Sequence, residues 1–133
     1  FLKKKFYPTN HYNNLFMNKN HLVKLNDLGH KIGLHSHTHP TLIEKLSYDE
    51  QNNEYSRNIS VLSNILNCKK SEIKTMSHPC GSYNEDTKKV LNNLDINIGF
   101  RATMSVDFTK MEKINNSSLE IAREDHANIM KLM

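Results

Sequence analysis

The chain has 133 residues, with 18 Lys and Arg against 14 Asp and Glu, a net charge of +4 and 37% hydrophobic residues. That apolar share is under the usual level of about 45–50%, but Leu, Ile, Val and Phe still total 33, enough to build a core and too many for disorder to be the default. No run approaches the roughly 18 apolar residues of a membrane span, no secretory leader pattern opens the chain, Cys68 and Cys80 make no CxxC pair or disulfide framework, and the one basic run, Lys3-Lys4-Lys5, has no nucleic-acid signature around it.

The first residue is Phe1 rather than Met, so the sequence reads as a piece of a longer protein. Taken in order, Asn18 is a helix N-cap, Leu22, Leu25 and Leu28 follow at helical steps, and Gly29 stands where a C-terminal cap belongs, predicting a helix over 19–28. His30 to His35 alternates polar and apolar and reads as a strand. A loop broken by Pro40 runs from 36 to 46. Ser47 and Glu50 form a capping box, opening a helix to about residue 67 with Tyr55, Ile59, Leu62, Ile65 and Leu66 inward. A short strand is expected over 72–76, then a turn at His78-Pro79-Cys80-Gly81. Asn84 caps a third helix, with Glu85 and Asp86 in its first turn. Strands are expected over 95–101 and 119–122, a loop over 105–118 and a helical turn over 125–132. Helices alternating with strands at this spacing predict an α/β fold with a parallel sheet or a β/α barrel. In such folds the working residues lie on loops after the strands' C-terminal ends.

Four of the eight histidines fall between positions 30 and 39, and three of them make the pattern His35-Ser36-His37-Thr38-His39 directly after a predicted strand. Neutral imidazole suits zinc, iron, cobalt and nickel, and a catalytic zinc site uses three protein ligands and leaves a position for water. Residues 35 and 39 are four apart, so a turn could aim both at one ion. A solvated polar loop without metal is the competing reading. At Ser77 to Asn84, Pro and Gly permit a tight turn entering a helix, where main-chain N–H groups suit an anion or oxyanion.

Together these segments resemble the polysaccharide deacetylases, the NodB-homology domain or carbohydrate esterase family 4. Residues 29–40, Gly-His-Lys-Ile-Gly-Leu-His-Ser-His-Thr-His-Pro, are similar to the family's second motif, His-(Ser/Thr)-x-x-His in its usual setting. Residues 77–84 are similar to its third motif, Arg-x-Pro-Tyr-Gly-x-x-Asn, with Pro79, Gly81 and Asn84 matching, Ser77 at the Arg position and Cys80 at the Tyr position.

The resemblance implies a partial or distorted (β/α) barrel, with residues 1–133 a single domain that is a fragment of a deacetylase domain. It implies that His35 and His39 ligate a divalent metal, zinc or else cobalt or nickel, and that Ser36 supports the loop from behind. It implies that the Cys80 backbone N–H is an oxyanion donor and that His126 is the candidate general acid. His37 is expected to be exposed or behind the ligands, Arg123 to replace the motif Arg, His30 and His78 to do no chemistry, and Cys68 to be a half-buried thiol. The family's first motif carries adjacent aspartates, one a ligand and one the base. No Asp precedes Asp27 here, so this chain alone is expected to lack its base and third ligand and to show little activity. The function implied is metal-dependent removal of N-acetyl groups from a polysaccharide or glycan. The alternative is a non-catalytic carbohydrate-binding module on the same scaffold. The expected partner is an N-acetylated glycan, with no nucleic acid and no membrane span. The setting is bacterial, cytoplasm or cell envelope, and the thiols favour the cytoplasm.

Overall fold

The computed structural model describes residues 16–105, 115–124 and 129–130. The chain divides into two compact units, residues 1–32 and 33–133.

In the first unit, helix α1 spans Lys19–Asp27. The Asn18 side chain accepts from the His21 N–H at 3.1 Å, and the His21 ring answers the Asn18 N–H at 3.3 Å. Gly29, at φ +88°, ends the helix. The Gly29 N–H bonds the Asn26 carbonyl and the His30 N–H bonds the Leu25 carbonyl. This is the paired closure that a left-handed residue allows. It also explains why the strand predicted from His30 begins late: the His30 donor is spent on the helix end and only Leu34, four residues on, joins the sheet.

The second unit holds helices α2, Tyr48–Leu66, and α3, Glu85–Asn93. Both start at capping boxes, Ser47 with Glu50 and Asn84 with Thr87. The side of α2 turned inward carries Gln51, Glu54, Tyr55, Ile59 and Leu62 at the steps of a helical stripe. It packs on α3, whose Thr87, Val90 and Leu91 are buried.

Strands β1, Thr75–Ser77, and β2, Ile98–Phe100, pair in parallel. Single parallel bridges extend the ladder on both sides, Leu34 to Met76 and Phe100 to Ile121. The segments thus lie side by side in chain order. Each strand is shorter than its apolar pattern predicts, for one recurring reason: neighbouring turns take the donors. Asp95 closes α3 in a left-handed conformation, with its N–H on Asn92 and that of Ile96 on Leu91, so the first donor to cross to the neighbouring segment is Asn97, on Lys74, and the ladder starts at 98. A turn at Lys70–Glu72, tied by the Lys69 N–H to Glu72 at 2.7 Å, does the same before β1. The last expected strand is reduced to the bridge at Ile121. The expected loop of 105–118 and the terminal turn fall largely outside the described residues.

The sheet segments approach closely at glycines. A Cβ on Gly99 would lie 2.5 Å from the Leu119 carbonyl oxygen, and one on Gly33 2.8 Å from that of Thr75. No helix among the described residues is long and apolar enough to cross a membrane.

Candidate active site

The histidine loop leaves the sheet immediately after Leu34. Its path is set by two non-glycine residues in the left-handed region, Ser36 at φ +59° and His39 at φ +58°. Such conformations persist where surrounding bonds over-determine them, and here the bonds are present. The buried Ser36 hydroxyl accepts from the His39 N–H at 3.1 Å, the support from behind expected of it. The Asn58 side chain accepts from the His35 N–H at 3.0 Å. The Glu54 carboxylate accepts from the His37 and Thr38 N–H groups at 2.9 and 2.8 Å and from the Thr38 hydroxyl at 2.8 Å. Burial pushes the Glu54 carboxyl up, but these bonds outweigh it and hold it below the usual range.

The His35 and His39 rings are both on exposed residues, with centroids 5.0 Å apart and planes tilted by 56°. His35 Nδ1 lies 2.8 Å from the Ser77 carbonyl and 3.0 Å from its hydroxyl. The carbonyl can only accept, so Nδ1 carries the proton and the lone pair of the neutral ring is on Nε2. The residue at the third-motif Arg position thus touches a histidine of the second motif.

These features bear on whether a metal fits. Two imidazoles on one tetrahedral ion, each bonded at about 2.1 Å, have ring centroids roughly 5 Å apart. A ligating histidine usually donates its other ring N–H to a carbonyl or carboxylate, as His35 does. The pair therefore fits two positions of a metal site. Among the described residues no group of three or more His, Cys, Asp or Glu gathers around one point.

The second segment forms a turn, Pro79–Gly81, in which Cys80 is exposed and held at φ +53°. Hydrogen bonds from Ser82 to Glu44 at 3.0 Å and from Asn84 to the Glu44 carbonyl at 2.9 Å fasten this turn to the loop before α2. Thr87 and Gln51 continue that network at 2.6 Å between the helices.

His78, expected to do no chemistry, is buried within the second unit. Its Nε2 donates to the Leu119 carbonyl at 2.8 Å, its ring stacks on Tyr83 at 4.2 Å, and no group among the described residues bonds its Nδ1. Beside it, Glu120 is buried. Burial raises its carboxyl, yet Ser117, Lys88 and Tyr83 together hold it below the usual range.

Burial pushes the His78 imidazole below its ordinary 6.5, against the raising effects of the Leu119 carbonyl and Glu120 and with the help of His35 and Lys88. The unfolded chain then binds the proton first as the pH drops. Stability tied to neutral His78 is complete above about 6.5 and is lost as the pH falls toward the lower folded value. Thermal unfolding followed between about pH 7.5 and 5.5 is expected to show a falling midpoint in the wild type and a flatter profile in His78→Gln. Equal slopes would contradict it.

Other expected residues are placed less fully. His37 is half-buried and Arg123 exposed. Cys68 is a half-buried free thiol, and His126 lies outside the described residues. Sequence reasoning missed Glu54 and Asn58. The available signal was a run of polar residues, Gln51, Glu54 and Asn58, on the inward stripe of an amphipathic helix.

Residues 2–99 match the family model described as polysaccharide deacetylase. No curated protein matches the chain. Among solved structures, the chain is similar to the Streptococcus pyogenes deacetylase PplD in complex with acetate, at TM-score 0.68 and 20% identity, covering 88% of this chain and 50% of that one. It is also similar to the BpsB deacetylase domain from Bordetella bronchiseptica, at TM-score 0.64 and 15% identity, covering 82% and 48%. A third is the wild-type BA3943 of Bacillus anthracis, a CE4 family pseudoenzyme, at TM-score 0.58 and 19% identity, covering 80% and 40%. The chain spans at most half the length of these structures. With the family model matched over most of its length, the chain belongs to the polysaccharide deacetylase family.

Proposed function

We propose that this chain is part of a metal-dependent hydrolase that removes N-acetyl groups from a polysaccharide or glycan. The observation that carries the reading is the His35 and His39 pair, at the spacing two imidazoles have on one ion, with His35 Nδ1 tied to Ser77. These two residues would hold a divalent metal, zinc or else cobalt or nickel. When bound, such an ion polarises a carbonyl and lowers the pKa of a bound water. The exposed turn at Cys80 would offer its main-chain N–H to the oxyanion, a role indifferent to the change of side chain from Tyr. His126 is the candidate general acid. The parallel segments, adjacent in chain order, are read as an arc of a β/α barrel, and residues 1–133 as one part of a deacetylase domain. An N-acetylated glycan is the proposed partner.

A second reading, a carbohydrate-binding module without catalysis, draws on the pseudoenzyme among the similar structures and on Ser77 at the motif Arg position. Calorimetry separates the two. Under the first reading the chain takes up cobalt(II), and affinity falls by at least about 10-fold in His35→Ala and in His39→Ala, as expected where a ligand is lost outright. Binding of an N-acetylated oligosaccharide then weakens with chelator. Sugar binding indifferent to chelator, with no cobalt uptake, selects the second reading and overturns the first.

A further inference from the structure

We propose that Glu54 and Asn58 are positioning residues for the metal loop, setting the two histidines through main-chain N–H groups without touching ion or substrate. The inference rests on the reading of His35 and His39 as ligands.

Positions 54 and 58 lie one helical turn apart on α2 and share a face. Between them they accept the main-chain N–H groups of His35, His37 and Thr38 and the Thr38 hydroxyl, at 2.8–3.0 Å. Every donor in this set lies within the span bounded by the ligands. A buried carboxylate costs free energy unless its oxygens are bonded, and Glu54 is only 8% exposed. Both of its oxygens are bonded to this one loop. An apolar residue would fill the same stripe at lower desolvation cost. What it could not do is hold adjacent amides of a loop whose flanks, Ser36 and His39, have left-handed backbones. The clamp contacts the main chain at 35, 37 and 38, and its one side-chain contact in the loop is the Thr38 hydroxyl. Its effect at a distance is to fix where the ring of His39 stands relative to that of His35, whose own orientation Ser77 sets.

The test uses the 133-residue chain, cobalt(II) as probe and two readouts, calorimetric affinity with the visible cobalt spectrum and amide hydrogen exchange. Glu54→Ala is expected to weaken cobalt binding about 10–100-fold, the usual effect of losing an outer-shell partner. It should change the spectrum and speed exchange at His37 and Thr38 while the α2 amide of Ile59 stays protected. Glu54→Gln retains an oxygen for the two amides and should recover most of the affinity, which a merely space-filling role would not predict of one variant over the other. Asn58→Ala should speed exchange at His35 alone and weaken cobalt several-fold, and it carries the test if Glu54→Ala does not fold. The proposal is overturned by wild-type affinity in Glu54→Ala, by Glu54→Gln falling as far as Glu54→Ala, or by unchanged exchange at His37 and Thr38. If the wild-type chain takes up no cobalt, the ligand reading fails. The exchange rates then still decide whether the clamp exists.

Discussion

Ile59→Ala is expected to destabilise the protein by about 2–5 kcal/mol, the range for truncating a buried Ile where a cavity remains. Ile59 is 1% exposed and lies between Tyr55 and Leu62 on the inward stripe of α2. Urea unfolding should show the midpoint falling with an unchanged slope, the mark of altered stability rather than an altered denatured state. Val61→Ala, two residues along and 41% exposed, should stay within about 0.5 kcal/mol of wild type. A loss below about 1 kcal/mol for Ile59→Ala would mean that α2 is not anchored through this stripe. The consequence reaches the site, because α2 presents Glu54 and Asn58 to the histidine loop one turn away from the same residues that bury it.

Gly33→Ala is expected to cost about 1–3 kcal/mol by overpacking and to disturb the site as well. A Cβ there would stand 2.7 Å from the Thr75 hydroxyl, 2.8 Å from the Thr75 carbonyl oxygen and 3.0 Å from its carbon. A hydroxyl can rotate away, but main-chain atoms cannot, so the segment carrying Leu34 must lift from β1. That movement strains the Leu34 N–H bond to Thr75 at 2.9 Å and the Ser77 N–H bond to Leu34 at 3.0 Å. These two bonds are what bring His35 to Ser77. Thermal unfolding measures the first effect. The ring nitrogen shifts of His35, followed by NMR, measure the second. Wild-type stability and unchanged His35 shifts together would show that the close approach is not obligatory.

Much of the local structure was legible because its signals are local. The capping box at Ser47 and Glu50 and the N-cap at Asn84 put helix starts within one residue of those observed, since a cap and the amides it serves lie within a single turn. Gly29 marked the end of α1 for the same reason, as only a left-handed residue closes it so. The strands are shorter than their apolar patterns predict. Alternating apolar residues report which side of a segment is buried, not whether its N–H groups are free to pair. At His30 and at Ile96 those donors were taken by helix ends.

The site divides along the same line. That histidines 35 and 39 stand together, directly after a segment that joins the sheet, was determined by residue type and spacing within one short segment. That His35 presents Nε2 depends on Ser77, 42 positions away, and that the loop holds its shape depends on Glu54 and Asn58 in another element. Only the tertiary structure decides such bonds, because a side chain's partner across the fold is set by how helix and sheet pack, while spacing along the chain governs only contacts within a turn or two.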